Sequence, residues 1–224
     1  MTKLIIAEKP SVATDIARVL GGMKKKGDYY EGGDWIVANA LGHLLELSCP
    51  EKYEVKRGKW TFGHLPVTFD LKPIAKSGEK LKSLARLLRR PDVDTVINAC
   101  DAGREGELIF RYIMQAAKSK KKIERLWLQS MTPGAIKEAF SHLRSDAEMT
   151  KLADAARSRS EADWLVGING TRAMTAFNSL DGGFFLTTVG RVQTPTLAIV
   201  VRRENEIKNF KTQPYWEVEA EFSL

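Results

Sequence analysis

The segment Asp101-Ala102-Gly103-Arg104-Glu105-Gly106-Glu107 concentrates carboxylates where one kind of backbone gives way to another. The apolar run Val96-Ile97-Asn98-Ala99-Cys100 leads into it as a buried strand would, and Leu108, Ile109, Tyr112, Ile113 and Ala116 follow at helical spacing. A second junction of this kind opens the chain. Leu4-Ile5-Ile6-Ala7 reads as a buried strand, Glu8, Lys9 and Pro10 come next, and Ala13, Ile16, Ala17 and Leu20 recur with the period of a helix. If the two strands are parallel members of one sheet, Glu8, Lys9, Asp101 and Glu105 emerge on the same edge, where open α/β sheets gather ligands and chemistry. Three acids and a lysine suit a magnesium ion and a phosphate, because magnesium takes one or two carboxylates and leaves its other positions to water and substrate oxygens. On spacing alone a plainer alternative stays open: Arg104 pairs with nearby acids as a helix-start salt bridge.

The elements that must position these residues follow from periodicity and punctuation. A first helix stops at Gly21-Gly22, residues 23–34 form a turn-rich excursion with three consecutive lysines, and strand resumes at Trp35-Ile36-Val37-Ala38. Residues 42–75, which include Pro50, Pro66 and Pro73, read as irregular. A basic amphipathic helix follows over Lys80–Arg90 on Leu81, Leu84, Leu87 and Leu88. Beyond the acidic junction and its helix, a basic turn at 118–122 leads into Leu126-Trp127-Leu128, expected as a strand, and Thr132-Pro133 suits the N-cap and first position of a third helix. The alternation to about residue 145 indicates a doubly wound or related α/β domain with a mostly parallel sheet. From Asp146 the texture changes to two long helical patterns, about 148–180 and 191–210, around the turn Asp181-Gly182-Gly183. The last segment, Trp216 to Leu224, alternates apolar and polar residues and predicts a half-buried strand, as expected of a piece cut at the start of a further domain.

With 224 residues the chain can bury one core, or one domain plus part of another. Thirty-five Lys and Arg against 28 Asp and Glu give a net charge of +7, which favours polyanionic partners such as nucleic acid. Cys49 and Cys100 sit in or beside apolar stretches and read as reduced thiols in a cytoplasmic setting, and no apolar run approaches the ~20 residues of a membrane span. The absence of a G-x-x-x-x-G-K-[ST] loop argues against an intrinsic ATPase, and two Cys with three scattered His make no zinc site. His43 reads as a satisfied buried histidine and the five tryptophans as core. The lysine-rich stretches at 24–26, 76–82 and 118–122 read mostly as solvated surface that adds salt-sensitive affinity at most. Arg157, Arg159 and Asp163 fall near one helical face, which on spacing alone is an exposed helix with local ion pairs.

Five motifs occur in order: Ala7-Glu8-Lys9-Pro10-Ser11, Leu41-Gly42-His43-Leu44, the acidic segment 101–107, Ala162-Asp163-Trp164-Leu165-Val166-Gly167-Ile168-Asn169, and Gly190-Arg191-Val192-Gln193-Thr194-Pro195-Thr196-Leu197. Together they resemble the bacterial type IA DNA topoisomerases of the topoisomerase III branch. The resemblance implies a TOPRIM domain, Rossmann-like, over residues 1–147, the first part of a helical DNA-binding domain over 148–212, and the start of a truncated gate domain over 213–224. In that family a tyrosine attacks a phosphodiester of single-stranded DNA, leaving a 5′-phosphotyrosine link and a 3′-hydroxyl, and a second strand passes through the gap without ATP.

By motif match, Glu8 and Lys9 are the catalytic residues: Glu8 exchanges a proton with the 3′ oxygen and Lys9 stabilises charge on the phosphate. Asp101 and Glu105, with Glu8 as a further ligand, hold magnesium. The family often carries a second aspartate where this chain has Gly103, which favours a single weak metal site. Arg159 and Asp163 match a pair near a nucleotide phosphate, and Thr188, Val189, Gly190, Arg191, Val192 and Gln193 match the segment used against the single strand. Tyr29, Tyr30, Tyr53, Tyr112 and Tyr215 all lie outside the nucleophile motif, so residues 1–224 alone are expected to be inactive. The expected partners are DNA, chiefly single-stranded, and the remaining domains of the same polypeptide, in a nucleoid-associated cytoplasmic monomer. Two other readings compete, a different TOPRIM phosphotransferase (primase or nuclease) and a noncatalytic nucleic-acid-binding module. The Gly190–Leu197 segment argues against the first of these.

Overall fold

A computed structural model describes residues 1–54 and 60–223. Strands β1 (Thr2–Ala7), β2 (Lys24–Lys26), β3 (Tyr29–Gly32), β4 (Trp35–Asn39), β7 (Val93–Ala99), β8 (Lys122–Arg125) and β9 (Arg144–Ser145) form one sheet in the order β2-β3-β4-β1-β7-β8-β9. Its central four strands, β4, β1, β7 and β8, are parallel, and antiparallel strands close both edges. A separate antiparallel pair joins β5 (Leu45–Ser48) to β6 (Asp70–Pro73).

Because side chains alternate along a strand, β1 feeds two cores at once. Leu4 and Ile6 enter one with Ile36, Val96, Leu84, Leu88, Ile109 and Ile113, beneath helices α2 (Gly78–Leu88) and α3 (Arg104–Ala117). Ile5 and Ala7 enter the other with Val37, Ile97, Ala13, Ile16 and Ile136, beneath α1 (Pro10–Leu20) and α4 (Pro133–Ser141). A sheet covered on both faces needs continuously apolar strands, which is why Leu4–Ala7 and Val96–Cys100 were legible as runs rather than alternations.

Several elements differ from the sequence expectation. The fourth parallel strand lies at Lys122–Arg125, not at Leu126–Leu128; Leu126 donates its N–H to the Asn98 carbonyl at 2.9 Å as the last link of the pairing, and the chain then leaves the sheet. The excursion at 23–34 contains the β2–β3 hairpin, turning at Gly27 with φ 63°. Its three lysines form the sheet's outer edge, where charge discourages pairing with another chain. The segment Trp216–Ser223 pairs with no described strand and is exposed, Trp216 at 93%, so neither the final strand nor a core role for Trp216 is formed; Leu224 lies outside the described residues.

Compactness divides the chain into two units, Met1–Lys56 with Pro66–Leu165, and Arg57–Leu65 with Val166–Leu224. The division falls inside helix α5 (Asp146–Asn178). In the second unit the stretch from Phe185 to Val189 runs along the C-terminal half of that helix. Thr187 and Val189 donate their N–H groups to the hydroxyls of Thr175 and Thr171, each at 3.0 Å, and Asn178 donates to the Thr187 hydroxyl at 2.6 Å. Helix α6 (Gln193–Lys208) follows. No helix among the described residues is long and apolar enough to cross a membrane.

Candidate active site

Parallel pairing sets the site. Ala7 aligns with Ala99 on one side and Asn39 on the other, so Glu8, the turn after β4 and Asp101 leave the sheet at one edge. Pro10 starts α1 and fixes Lys9 as its extended N-cap residue. Lys9 Nζ lies 2.6 Å from Asp101 Oδ2 and 4.0 Å from Glu8 Oε1, and the Asp101 N–H donates to Glu8 Oε2 at 3.4 Å. The hydrogen bond to Asp101 and the charges of Asp101 and Glu8 raise the Lys9 ammonium pKa, so it stays cationic. Arg104 makes no ion pair among the described residues; the lysine, not the arginine, neutralises these acids.

Glu105 stands apart from that trio. Its Oε2 lies 3.5 Å from His43 Nε2, and the His43 side chain is 44% exposed rather than buried as its apolar surroundings in sequence suggest. The cause is local: Leu41 (φ 60°) and Gly42 (φ 83°) both take left-handed backbone, and the Gly42 N–H bonds the Glu8 carbonyl at 3.2 Å, which turns His43 out toward the edge. Among the described residues no three of His, Cys, Asp and Glu converge as a metal cage. Glu8 and Asp101 nonetheless form the kind of two-carboxylate set that magnesium accepts when substrate oxygens complete it. A Cβ built at Gly103 would meet nothing within 4 Å, so an aspartate there is sterically allowed and its absence simply removes a potential ligand.

Three residues that spacing did not single out hold the acidic loop in place. Gly106 is one: a Cβ there would lie 2.1 Å from the Asp101 carbonyl oxygen, so only glycine lets the first turn of α3 sit against the loop. The second is Arg125, 1% exposed, whose guanidinium donates to the carbonyls of Asn98 (2.9 Å), Cys100 (2.7 Å) and Asp101 (2.7 Å). Glu107, equally buried, accepts from Asn98 Nδ2 at 2.9 Å and Arg111 Nε at 2.8 Å, with Arg125 Nε 3.6 Å away. Burial lowers the Arg125 pKa, yet an arginine remains charged, and Glu107 supplies the counter-charge. Glu107 is therefore structural. The only sequence signal for it was its i,i+4 spacing to Arg111.

Arg159 and Asp163, 4.0 Å apart one turn along α5, line a cleft of about 390 Å³ together with His43, Glu105, Tyr112 and Trp164. The arginine–aspartate pair, which sequence placed in a different domain from the acids, thus shares a wall with one of them inside the first compact unit. In the second unit, Thr188–Gln193 leads into α6 with Pro195 in its first turn, as the motif predicts, and Arg191 and Gln193 are exposed. Gly170 makes room for this strip, since a Cβ there would lie 2.8 Å from Val189 Cγ1.

Comparison with known proteins agrees with this geometry. Residues 3–131 match the Toprim domain, more than half the chain. The chain belongs to the Toprim family. After the Toprim region, residues 147–224 match the DNA topoisomerase family. DNA topoisomerase 3 of Bacillus cereus is 47% identical over 222 residues, and that of Bacillus subtilis 45% over 221; in each case 97% of this chain is covered but only 30% of the relative. The chain is thus homologous to the N-terminal region of those enzymes and spans about 30% of their length. The full-length topoisomerase I of Thermotoga maritima superposes with a TM-score of 0.64 at 24% identity, covering 93% of this chain and 31% of that one, which establishes the shared fold of this Toprim protein.

Proposed function

We propose that this chain supplies the acidic half of a site that cleaves and rejoins single-stranded DNA in a type IA topoisomerase, relaxing negative supercoils and decatenating DNA without ATP. The observation that carries the reading is the edge where Glu8, Lys9 and Asp101 meet, with Arg159 and Asp163 sharing a cleft with Glu105 in the same compact unit. In the reaction a tyrosine hydroxyl from the rest of the polypeptide loses its proton to water, its oxygen bonds to phosphorus and the bond to the 3′ oxygen breaks; rejoining reverses each step. Glu8 gives a proton to that oxygen and takes it back on rejoining. Lys9, held cationic by Asp101, balances charge on the phosphate. Glu8 and Asp101 would hold magnesium, with Glu105 as the third candidate, and when bound the ion would neutralise charge on the phosphate oxygens. Arg159 and Asp163 bind a neighbouring nucleotide, and the strip Thr188 to Gln193 tracks the strand, with backbone amides at the start of α6 suited to phosphate. The domains are assigned as TOPRIM over 1–147, helical DNA-binding over 148–212 and the start of a gate domain over 213–224, in a monomeric, nucleoid-associated cytoplasmic enzyme.

A fluorescent single-stranded oligonucleotide titrated at two salt concentrations tests the reading. Binding should be salt-sensitive, and Arg159→Ala or Arg191→Ala should each weaken it by about 1–3 kcal/mol, roughly the worth of a charged hydrogen bond. Binding untouched by both substitutions would contradict the assignment of these residues.

A further inference from the structure

Residues 79–94 and 115–124 hold nine lysines and arginines against four acids, a surplus of five in a chain whose net charge is +7. The fold gathers them at one place. Helix α2 delivers the chain to the N-terminal end of β7 and α3 delivers it to the N-terminal end of β8, so the C-terminal ends of both helices lie at the sheet edge opposite Glu8 and Asp101.

Most acids of this edge are already matched; Asp94 is the exception, with no ion pair among the described residues. Asp28 holds Lys80 at 2.8 Å, Glu31 and Asp92 share Arg90 at 2.7 Å each, Glu79 holds Lys82 at 2.8 Å and Glu124 holds Lys122 at 2.6 Å. Lys121 donates to the carbonyls of Arg90 and Val93. That leaves Arg86, Arg89, Lys118 and Lys120 exposed and without an ion pair among the described residues. Between α2 and α3 runs a groove of about 520 Å³ whose floor is Leu81, Ala85 and Ala116, with Arg86 and Arg89 along it.

We propose that this edge is a second nucleic-acid contact, distinct from the catalytic edge, and that its occupant is the sugar-phosphate backbone of double-stranded DNA. Charge complementarity selects a polyanion. The absence of any aromatic side chain from the groove lining selects a duplex over a single strand, because single-strand surfaces combine cations with stacking platforms and this one offers only cations. Favourable placement of cations at helix C-termini accounts for one or two of these residues, not for all four that carry no ion pair among the described residues.

The test is fluorescence anisotropy with a blunt 24-base-pair duplex across a salt series, comparing the chain with its R86Q/R89Q/K118Q/K120Q variant. Removing four phosphate contacts should lower affinity at least tenfold at low salt and make the slope of log affinity against log salt shallower by about three to four. All four side chains are exposed, so the variant should melt like the parent, and thermal melting verifies this. Unchanged affinity and slope in a variant of native stability overturn the proposal. Loss of duplex binding on Arg159→Ala alone also overturns it, because the contact then lies in the cleft. The single-strand assay of the cleft is separate, so failure there leaves this result readable.

Discussion

Replacement of Arg125 by methionine should destabilise the α/β unit by about 3–5 kcal/mol, the cost of removing one partner from a buried charged network. For a chain of this length that corresponds to a fall in melting temperature of ~6–20 °C. The magnitude follows from what would be abandoned. Arg125 is the sole side chain donating to the carbonyls of both Cys100 and Asp101 among the described hydrogen bonds, and it stands beside buried Glu107. Methionine fills the volume but leaves those carbonyls without a donor and Glu107 with one cation fewer. Lysine should not restore the parent, since an ammonium on a flexible stem cannot reproduce the planar fork that reaches two carbonyls at once. Calorimetry of the two variants measures this; a melting temperature within 2 °C of the parent for Arg125→Met would show that the loop is held by something else.

Gly106→Ala should also destabilise the unit, less strongly and through a different cause. The added methyl would overlap the Asp101 carbonyl oxygen at 2.1 Å and crowd the Asp101 nitrogen at 2.7 Å. Both are backbone atoms, so relief requires α3 or the acidic loop to move, at a cost of about 1–3 kcal/mol or more. Movement of the loop also carries Asp101 away from Lys9 and Glu8. The variant should therefore lose stability in urea unfolding. In a protein carrying the remaining domains it should lose DNA cleavage by more than the fraction unfolded explains. Gly103→Ala is the control, because nothing surrounds that position and its φ of 171° suits any residue.

Most of the acidic edge could be read from residue order alone, because buried parallel strands are continuous apolar runs and the polar residues that end them stand out. Glu8, Lys9, Asp101 and the helices that follow them were visible for this reason. Arg125 was hidden for the complementary reason. A guanidinium buried at the end of a short strand of mixed polarity, Lys122–Arg125, looks like surface in sequence, and the apolar run that follows it directly drew the strand expectation to Leu126–Leu128. His43 was misplaced because left-handed backbone at a leucine, Leu41, has no sequence signature, and that turn decides which way the histidine faces. The pairing of β5 with β6 was illegible because its strands are separated by a long proline-containing connection and neither alternates strongly. The tail from Trp216 has a strand's alternation without a partner strand, and alternation expresses itself as a strand only when another backbone accepts its hydrogen bonds.

The measurement that bears most directly on the catalytic assignment is relaxation of negatively supercoiled plasmid. Residues 1–224 would be joined to the remaining part of the Bacillus cereus DNA topoisomerase 3, and the chimera assayed with magnesium and without ATP, beside its Glu8→Gln variant and beside residues 1–224 alone. The account predicts relaxation by the chimera, its loss by at least a hundredfold in Glu8→Gln, as expected when a positioned proton-transfer group is removed, and none from residues 1–224 alone. Relaxation that survives Glu8→Gln undiminished, or that residues 1–224 perform unaided, would contradict it.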